Sequence, residues 1–176
     1  MEFRLLSPAE KAQYAQTLLE ILTANDTAFV PPLSQRTQTT QTDLKGTGEK
    51  GNIRPYFDRM MEQNVLGMFC EGKLIGFVSY IDNFTSEVIG QENLPNIYLS
   101  TLVVSPEARG MGATRKAYTH LFLERYLDRN VFTRTWSTNA AHIRILDGFG
   151  FSELKRIPND RGEGIDTVYF VKKRER

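Results

Sequence analysis

The chain has 176 residues, 40% hydrophobic and 24% charged, a balance that excludes disordered, collagen-like and coiled-coil chains. With 22 Lys and Arg against 21 Asp and Glu the net charge is +1, so no global field draws the protein to nucleic acid or to a membrane surface. Cys70 is the one cysteine and His120 and His142 are the two histidines, which excludes an intrachain disulfide and a multi-cysteine zinc site and leaves little else to hold a metal. A single compact domain over residues 1–176 is expected, with no metal. The lone cysteine and the lack of an apolar leader or membrane-length segment predict a cytoplasmic setting.

Ser7-Pro8-Ala9-Glu10 joins an N-cap serine, a proline at the first helical position and a glutamate three residues after the cap, which predicts a helix start. Tyr14, Leu18 and Leu22 continue it at helical spacing until Asn25-Asp26. Residues 31–52 carry prolines, glycines and Gln-Thr pairs with almost no periodic apolar content, a long loop that is either a substrate-side cover or a surface excursion. Ile53, Tyr56, Phe57, Met60 and Met61 form the stripe of a second short helix with Pro55 near its start.

From Val65 the period changes. Val65–Cys70 and Lys73–Ile81 flank Glu71-Gly72 as a hairpin, residues 82–95 make a polar connection, and Asn96–Val104 is the next strand. Residues 112–128 predict a helix covering one sheet face, Val131–Trp136 a strand, Asn139–Asp147 a short helix, and Ser152–Ile157 with Asp166–Lys173 two closing strands. The order implies an α/β domain, layered in the α+β manner, with a mixed sheet.

Chemistry gathers at Leu102-Val103-Val104-Ser105-Pro106-Glu107-Ala108-Arg109-Gly110-Met111-Gly112-Ala113-Thr114-Arg115. Two glycines beside a basic residue, between a strand and a helix, let successive N–H groups face outward, and the positive helix end completes a cradle for phosphate. The run fails the Walker pattern and lacks the third glycine of a dinucleotide fingerprint, since Arg115 stands there.

These residues resemble the GNAT superfamily of acyl-CoA-dependent N-acyltransferases. Arg109-Gly110-Met111-Gly112 is similar to the core of the family pattern Gln/Arg-x-x-Gly-x-Gly/Ala in either of two registers: with Arg109 opening it Thr114 replaces the final small residue, and with Glu107 opening it the basic or amide residue is missing. Asn139 and Gly150-Phe151 fit a second family run, in which His142 replaces a small residue and Leu146 replaces a tyrosine thought to protonate the departing CoA thiolate. The resemblance implies a mixed, mostly antiparallel sheet of about six to seven strands flanked by about four helices. It also implies acetyl-CoA as co-substrate, bound by Leu102, Val103, Val104, Arg109, Gly110, Met111, Gly112, Ala113, Thr114, Arg115 and Asn139. The family's strand splays from its neighbour, freeing its main chain for the pantetheine arm. The implied reaction is direct acetyl transfer to a small-molecule or peptide amine. The alternatives are a non-catalytic acyl-CoA-binding or sensing module and a different nucleotide-binding enzyme.

Members that use a carboxylate base place it four residues before the leucine, where this sequence has Tyr98, which is therefore the catalytic candidate; Glu87 and Glu92 are others. Trp136 reads as core or as an acceptor contact, His142 as polar surface or as a neighbour of the cofactor, and Cys70 as inert. Arg36 reads as an exposed loop arginine or as a contact for an acceptor carboxylate. Lys172–Arg176 reads as a solvated basic end. Exposed sheet edges make a homodimer an expected partner arrangement.

Overall fold

The computed structural model describes residues 1–49 and 51–174. Glu175 and Arg176, part of the basic end, lie outside the described residues, as does Lys50 of the long loop. Seven strands form one sheet: β1 (Glu2–Leu5), β2 (Asn64–Cys70), β3 (Lys73–Asp82), β4 (Asn96–Val104), β5 (Asn130–Trp136), β6 (Ser152–Ile157) and β7 (Thr167–Lys172), in the order β1-β2-β3-β4-β5-β7-β6. Only β4 and β5 pair in parallel, and all other neighbours are antiparallel. The helices are α1 (Pro8–Gln13), α2 (Ala15–Ala24), α3 (Arg54–Met61), α4 (Ala113–Thr119) and α5 (Ala140–Gly148).

The predicted first helix is two helices. Ser7 and Glu10 cap it reciprocally, at 3.2 Å and 2.9 Å, and the chain turns at Tyr14, whose ring meets Phe69 edge-on at 5.5 Å. Only α2 buries side chains, Leu18, Ile21 and Leu22, so packing holds α2 while its cap holds α1. The strand β1 was not expected, because four residues with alternate exposure leave little periodic signal. The helix expected over 112–128 is α-helical to Thr119 and then π-helical from His120 to Arg125. Beyond this wider turn the Tyr126 hydroxyl meets that of Tyr80 at 2.7 Å.

Alternation along the strands sends side chains into two layers. On one face Leu66, Met68, Val78 and Leu99 pack under Ala117, Leu121 and Phe122 of the α4 region and Leu146 of α5. On the other, Val65, Phe77 and Val103 pack under Leu18 and Leu22 of α2 and Tyr56 and Met60 of α3. The connection 82–95 folds over this second face, where Ile89 joins Tyr98, Phe132 and Val171. The outer edges are β1 and β6, and β6 is exposed along five of its six residues, among them Glu153, Lys155 and Arg156; such charge discourages indiscriminate edge pairing.

A β-bulge decides where the site forms. Against β3 the register passes from Ser79↔Thr101 to Tyr80↔Leu99, leaving Ser100 as the extra residue on β4. The bulge bends β4 and increases its twist. On the other side the parallel ladder to β5 ends at Leu99↔Thr133, although β4 runs on to Val104 and β5 to Trp136. The two strands diverge there and open a wedge in the sheet.

Gly76 lets the diverging half of β4 lie close to β3, since a Cβ there would meet the Val103 carbonyl oxygen at 2.6 Å and the Val104 Cα at 3.1 Å. Gly76→Ala is expected to lower the unfolding free energy by about 1–3 kcal/mol, the range for overpacking. Urea denaturation checks this.

Candidate functional site

A cavity of about 330 Å³ fills the wedge. Residues 99–104 of β4 make one wall and residues 133–136 of β5 the other, with Tyr118, Asn139 and His142 on the α4 side and Ala28 and Phe29 on the α2 side. The wedge therefore passes from one face of the sheet to the other. Main-chain groups of β4 that would have paired with β5 are freed beyond Leu99. Side chains cap the two ends of this stretch: Thr133 Oγ1 donates to Leu99 O at 3.2 Å, and Asn25 Nδ2 donates to Val104 O at 3.1 Å.

The glycine turn adjoins the wedge through a groove lined by Arg109, Gly110, Gly112, Ala113, Thr114 and Arg115. Gly110 and Gly112 have φ of 81° and 72°, a left-handed backbone that glycine adopts without strain. No atom lies within 4 Å of a Cβ built on either, so the concave side is open. Among the described residues the amides of Gly110, Gly112, Ala113, Thr114 and Arg115 donate to no other group. They are a set of unsatisfied N–H groups at a positive helix end, the chemistry that holds a phosphate. Arg109 is steadied by Asn25, whose Oδ1 accepts from Nη2 at 2.9 Å.

Of the residues expected at the cofactor, Leu102, Val103, Val104, Arg109, Thr114 and Asn139 line the wedge, and Gly110, Gly112, Ala113 and Arg115 line the adjoining groove. Met111 is exposed and lines neither. Asn139 caps α5, accepting from the His142 amide at 3.4 Å while its Nδ2 donates to Thr135 Oγ1 at 3.0 Å, which fixes it between helix and strand.

Tyr98 requires a correction. Its side chain is buried against Phe84, Ile89, Phe132 and Val171 and it does not line the wedge. Burial pushes its phenol up to about 12, so the hydroxyl keeps its proton at neutral pH. Glu87 and Glu92 are exposed and also lie away from the wedge. Leu146 is sealed in the core, and Cys70 sits half-buried at the hairpin end.

His142 and Trp136 do line the wedge. His142 Nε2 lies 2.7 Å from the hydroxyl of Tyr118, a residue the sequence reading placed only in a helix. Burial pulls His142 down to about 4 and raises the Tyr118 phenol above its ordinary range, so the pair is neutral at pH 7. The exposed-loop reading of Arg36 is also overturned: it is 5% exposed, and its guanidinium donates to the carbonyls of Val30 and Pro31.

The chain belongs to the acetyltransferase (GNAT) family, whose pattern it matches over residues 30–151. No curated protein matches it in sequence. Among solved structures it is similar to the ribosomal-protein-alanine N-acetyltransferase of Brucella melitensis, with 17% identity, TM-score 0.64, and 98% of this chain and 99% of that one covered. A putative phosphinothricin N-acetyltransferase is similar at 12% identity, TM-score 0.67 and 99% of both chains. The putative acetyltransferase yncA of Salmonella typhimurium, solved with its cofactor acetyl-CoA, is similar at 18% identity and TM-score 0.60, with 100% of this chain and 95% of that one covered. At such identities the likeness is one of fold. Among the described residues no helix is long and apolar enough to cross a membrane, and no group of three or more His, Cys, Asp or Glu could hold a metal.

The His142 shift sets a pH dependence. Its folded value of about 4 lies below the ordinary 6.5, so between these the unfolded chain binds more protons and stability rises with pH. The contribution is complete above about pH 6.5 and is lost as pH falls towards 4. His142→Gln is expected to flatten the loss of stability across that window, as measured by urea unfolding at pH 7 and pH 5.

Proposed function

We propose that the chain transfers an acetyl group from acetyl-CoA directly to a primary amine. The wedge between β4 and β5, open to both sheet faces beyond Leu99↔Thr133, carries this proposal, because it gives a thioester and an amine separate approaches to one point. The free amides of Gly110 and of Gly112 to Arg115 suit the diphosphate, and the main chain of Ser100–Val104, paired with β3 but left open on its β5 side, suits the pantetheine arm. Acetyl-CoA, when bound, supplies an acetyl group activated as a thioester. A main-chain N–H of the freed strand is the donor available to charge developing on the carbonyl oxygen.

With Leu146 sealed in the core, Tyr118 is the one phenol lining the wedge among the described residues. When the His142 proton is on Nε2, that group donates to the phenol oxygen and leaves the Tyr118 O–H as a donor; the side chain is fully buried, so a thiolate reaches it only as the wedge walls part. Tyr118 then holds, at its hydroxyl oxygen, the proton that a departing thiolate takes, and the proton released by the amine restores it through water. No carboxylate lines the wedge among the described residues. The Arg134 guanidinium at its mouth disfavours a second cation, which lowers the pKa of an arriving ammonium and helps it lose its proton to water.

The test is release of free CoA thiol dependent on both acetyl-CoA and an amine. Tyr118→Phe is expected to lower kcat by about 10²-fold, the lower end for general acid catalysis, with CoA affinity unchanged by calorimetry. Gly110→Asp, which places a negative charge in the open turn, is expected to weaken CoA binding by at least ~10-fold. CoA binding without thiol release over a broad amine panel would leave the alternative, an acyl-CoA-binding module.

A further inference from the structure

Arg36 from the long loop, Arg134 from β5 and Arg161 from the turn before β7 come together beside the wedge. Arg36 and Arg161 are each 5% exposed and share one acceptor, the Val30 carbonyl oxygen, at 3.2 Å and 2.7 Å. Arg134 donates to Gln41 O at 2.6 Å and to the Tyr169 hydroxyl at 3.2 Å. Arg36 lies 5.6 Å above the Phe29 ring and Arg161 lies 5.7 Å above the Trp136 ring. Those two rings are 5.6 Å apart and line the wedge together with Arg134.

Among the described residues no carboxylate pairs with any of these guanidiniums. Asp26 is engaged by Ser34, and Asp160 by Thr167, which in turn accepts from Arg161 Nε at 2.9 Å. Burial pulls Arg36 down to about 10 and Arg161 down to about 9, and the cations repel one another, yet all stay charged at pH 7. Arg36 Nη1, Arg134 Nε and Arg161 Nη2 donate to no protein group among the described residues. Of the three, Arg134 lines the wedge itself, Arg161 lines a neighbouring cavity with Val30, Pro31 and Lys45, and Arg36 stands behind them, joined to Arg161 through the Val30 carbonyl oxygen. Three cations in largely buried positions, none in a salt bridge with a carboxylate, each with one guanidinium nitrogen unengaged by protein, make a seat for an oxyanion.

We propose that this arginine cluster holds the acid group of the acceptor, so that the substrate is an amine carrying a carboxylate, bound with its nitrogen towards the β4–β5 wedge. This rests on the acetyl-transfer proposal for the direction of the amine, but the anion seat is testable without turnover. Trp136 is the single tryptophan of the chain and lies under Arg161, so its fluorescence reports on the seat directly.

The chain, loaded with CoA, is titrated with natural α-amino acids and with their α-amides, followed by Trp136 fluorescence and by calorimetry. At least one amino acid is expected to saturate, with its amide bound roughly 10- to 100-fold more weakly, the range for a lost charge-assisted contact. Arg134→Gln is expected to bring the acid down to the affinity of its amide. Arg134→Lys, which keeps the charge but not the fork, is expected to recover only part. Equal binding of acid and amide, or no binding of either by both methods at millimolar concentration, overturns the proposal and leaves the arginines as struts for the loop. If Arg134→Gln unfolds, the comparison of acid with amide in the unaltered chain still decides. Acid-selective binding without thiol release would keep the seat and sink acetyl transfer; equal kcat/KM for acids and amides would do the reverse.

Discussion

The divergence of two parallel strands is the constraint on which the site depends. A β-sheet satisfies its main-chain donors and acceptors by pairing, so any unpaired stretch inside it must be answered by something else. Here the ladder between β4 and β5 stops at Leu99↔Thr133, and the cause is local: the extra residue Ser100 bends β4 as it leaves the ladder. Ser100 is itself held, by Ser79 Oγ at 2.8 Å and by the side chain of Gln63. Gln63 in turn donates to Thr39 of the long loop. The bulge is thus tied to both neighbouring strand and loop, and the opening is part of the fold's hydrogen-bond economy rather than a defect in packing.

Function follows from what fills each end of that opening. On the α4 side, the left-handed glycines Gly110 and Gly112 and the helix start leave a row of amides free. On the α2 side, Phe29, Trp136 and Arg134 make an aromatic and cationic mouth. One side is built from main chain, which recognises phosphate in any sequence that can make the turn, and the other from side chains, which can differ between members of one fold. Shared carrier and varied acceptor are the expected outcome of that division.

Local rules made most of the fold legible in the sequence. Asn96–Val104 and Ser152–Ile157 are strands with the expected ends, and the Glu71-Gly72 turn joins β2 to β3 as expected. The capping box at Ser7 and the cap at Asn139 mark true helix starts. The misses share a physical reason, dependence on distant partners. Strand β1 exists because β2 offers an edge, and the π-helical turn precedes a tyrosine pair that joins two elements far apart in sequence. Tyr98 sat at a promising position on β4, but which face a strand residue meets depends on the bulge two residues later, which shifts the alternation. Tyr118 gained significance only through His142, 24 positions away.

The arginines show the same limit most sharply. A loop full of glutamine and threonine gives no sign that Leu33, Arg36, Thr39 and Leu44 are buried, because nothing local orders them. Arg36, Arg134 and Arg161 order the loop by capturing its carbonyls at Val30, Pro31, Thr39 and Gln41. Neutral amide side chains could donate to the same carbonyls at far lower desolvation cost. A chain with net charge +1 nevertheless concentrates three cations in largely buried positions, with Asp26 and Asp160 nearby but, among the described residues, in a salt bridge with none of them. Tethering the loop accounts for the hydrogen bonds but not for the charge. A recurrent anionic visitor accounts for both, since it would relieve the repulsion at the moment it arrives and draw the loop and the sheet onto the same ligand.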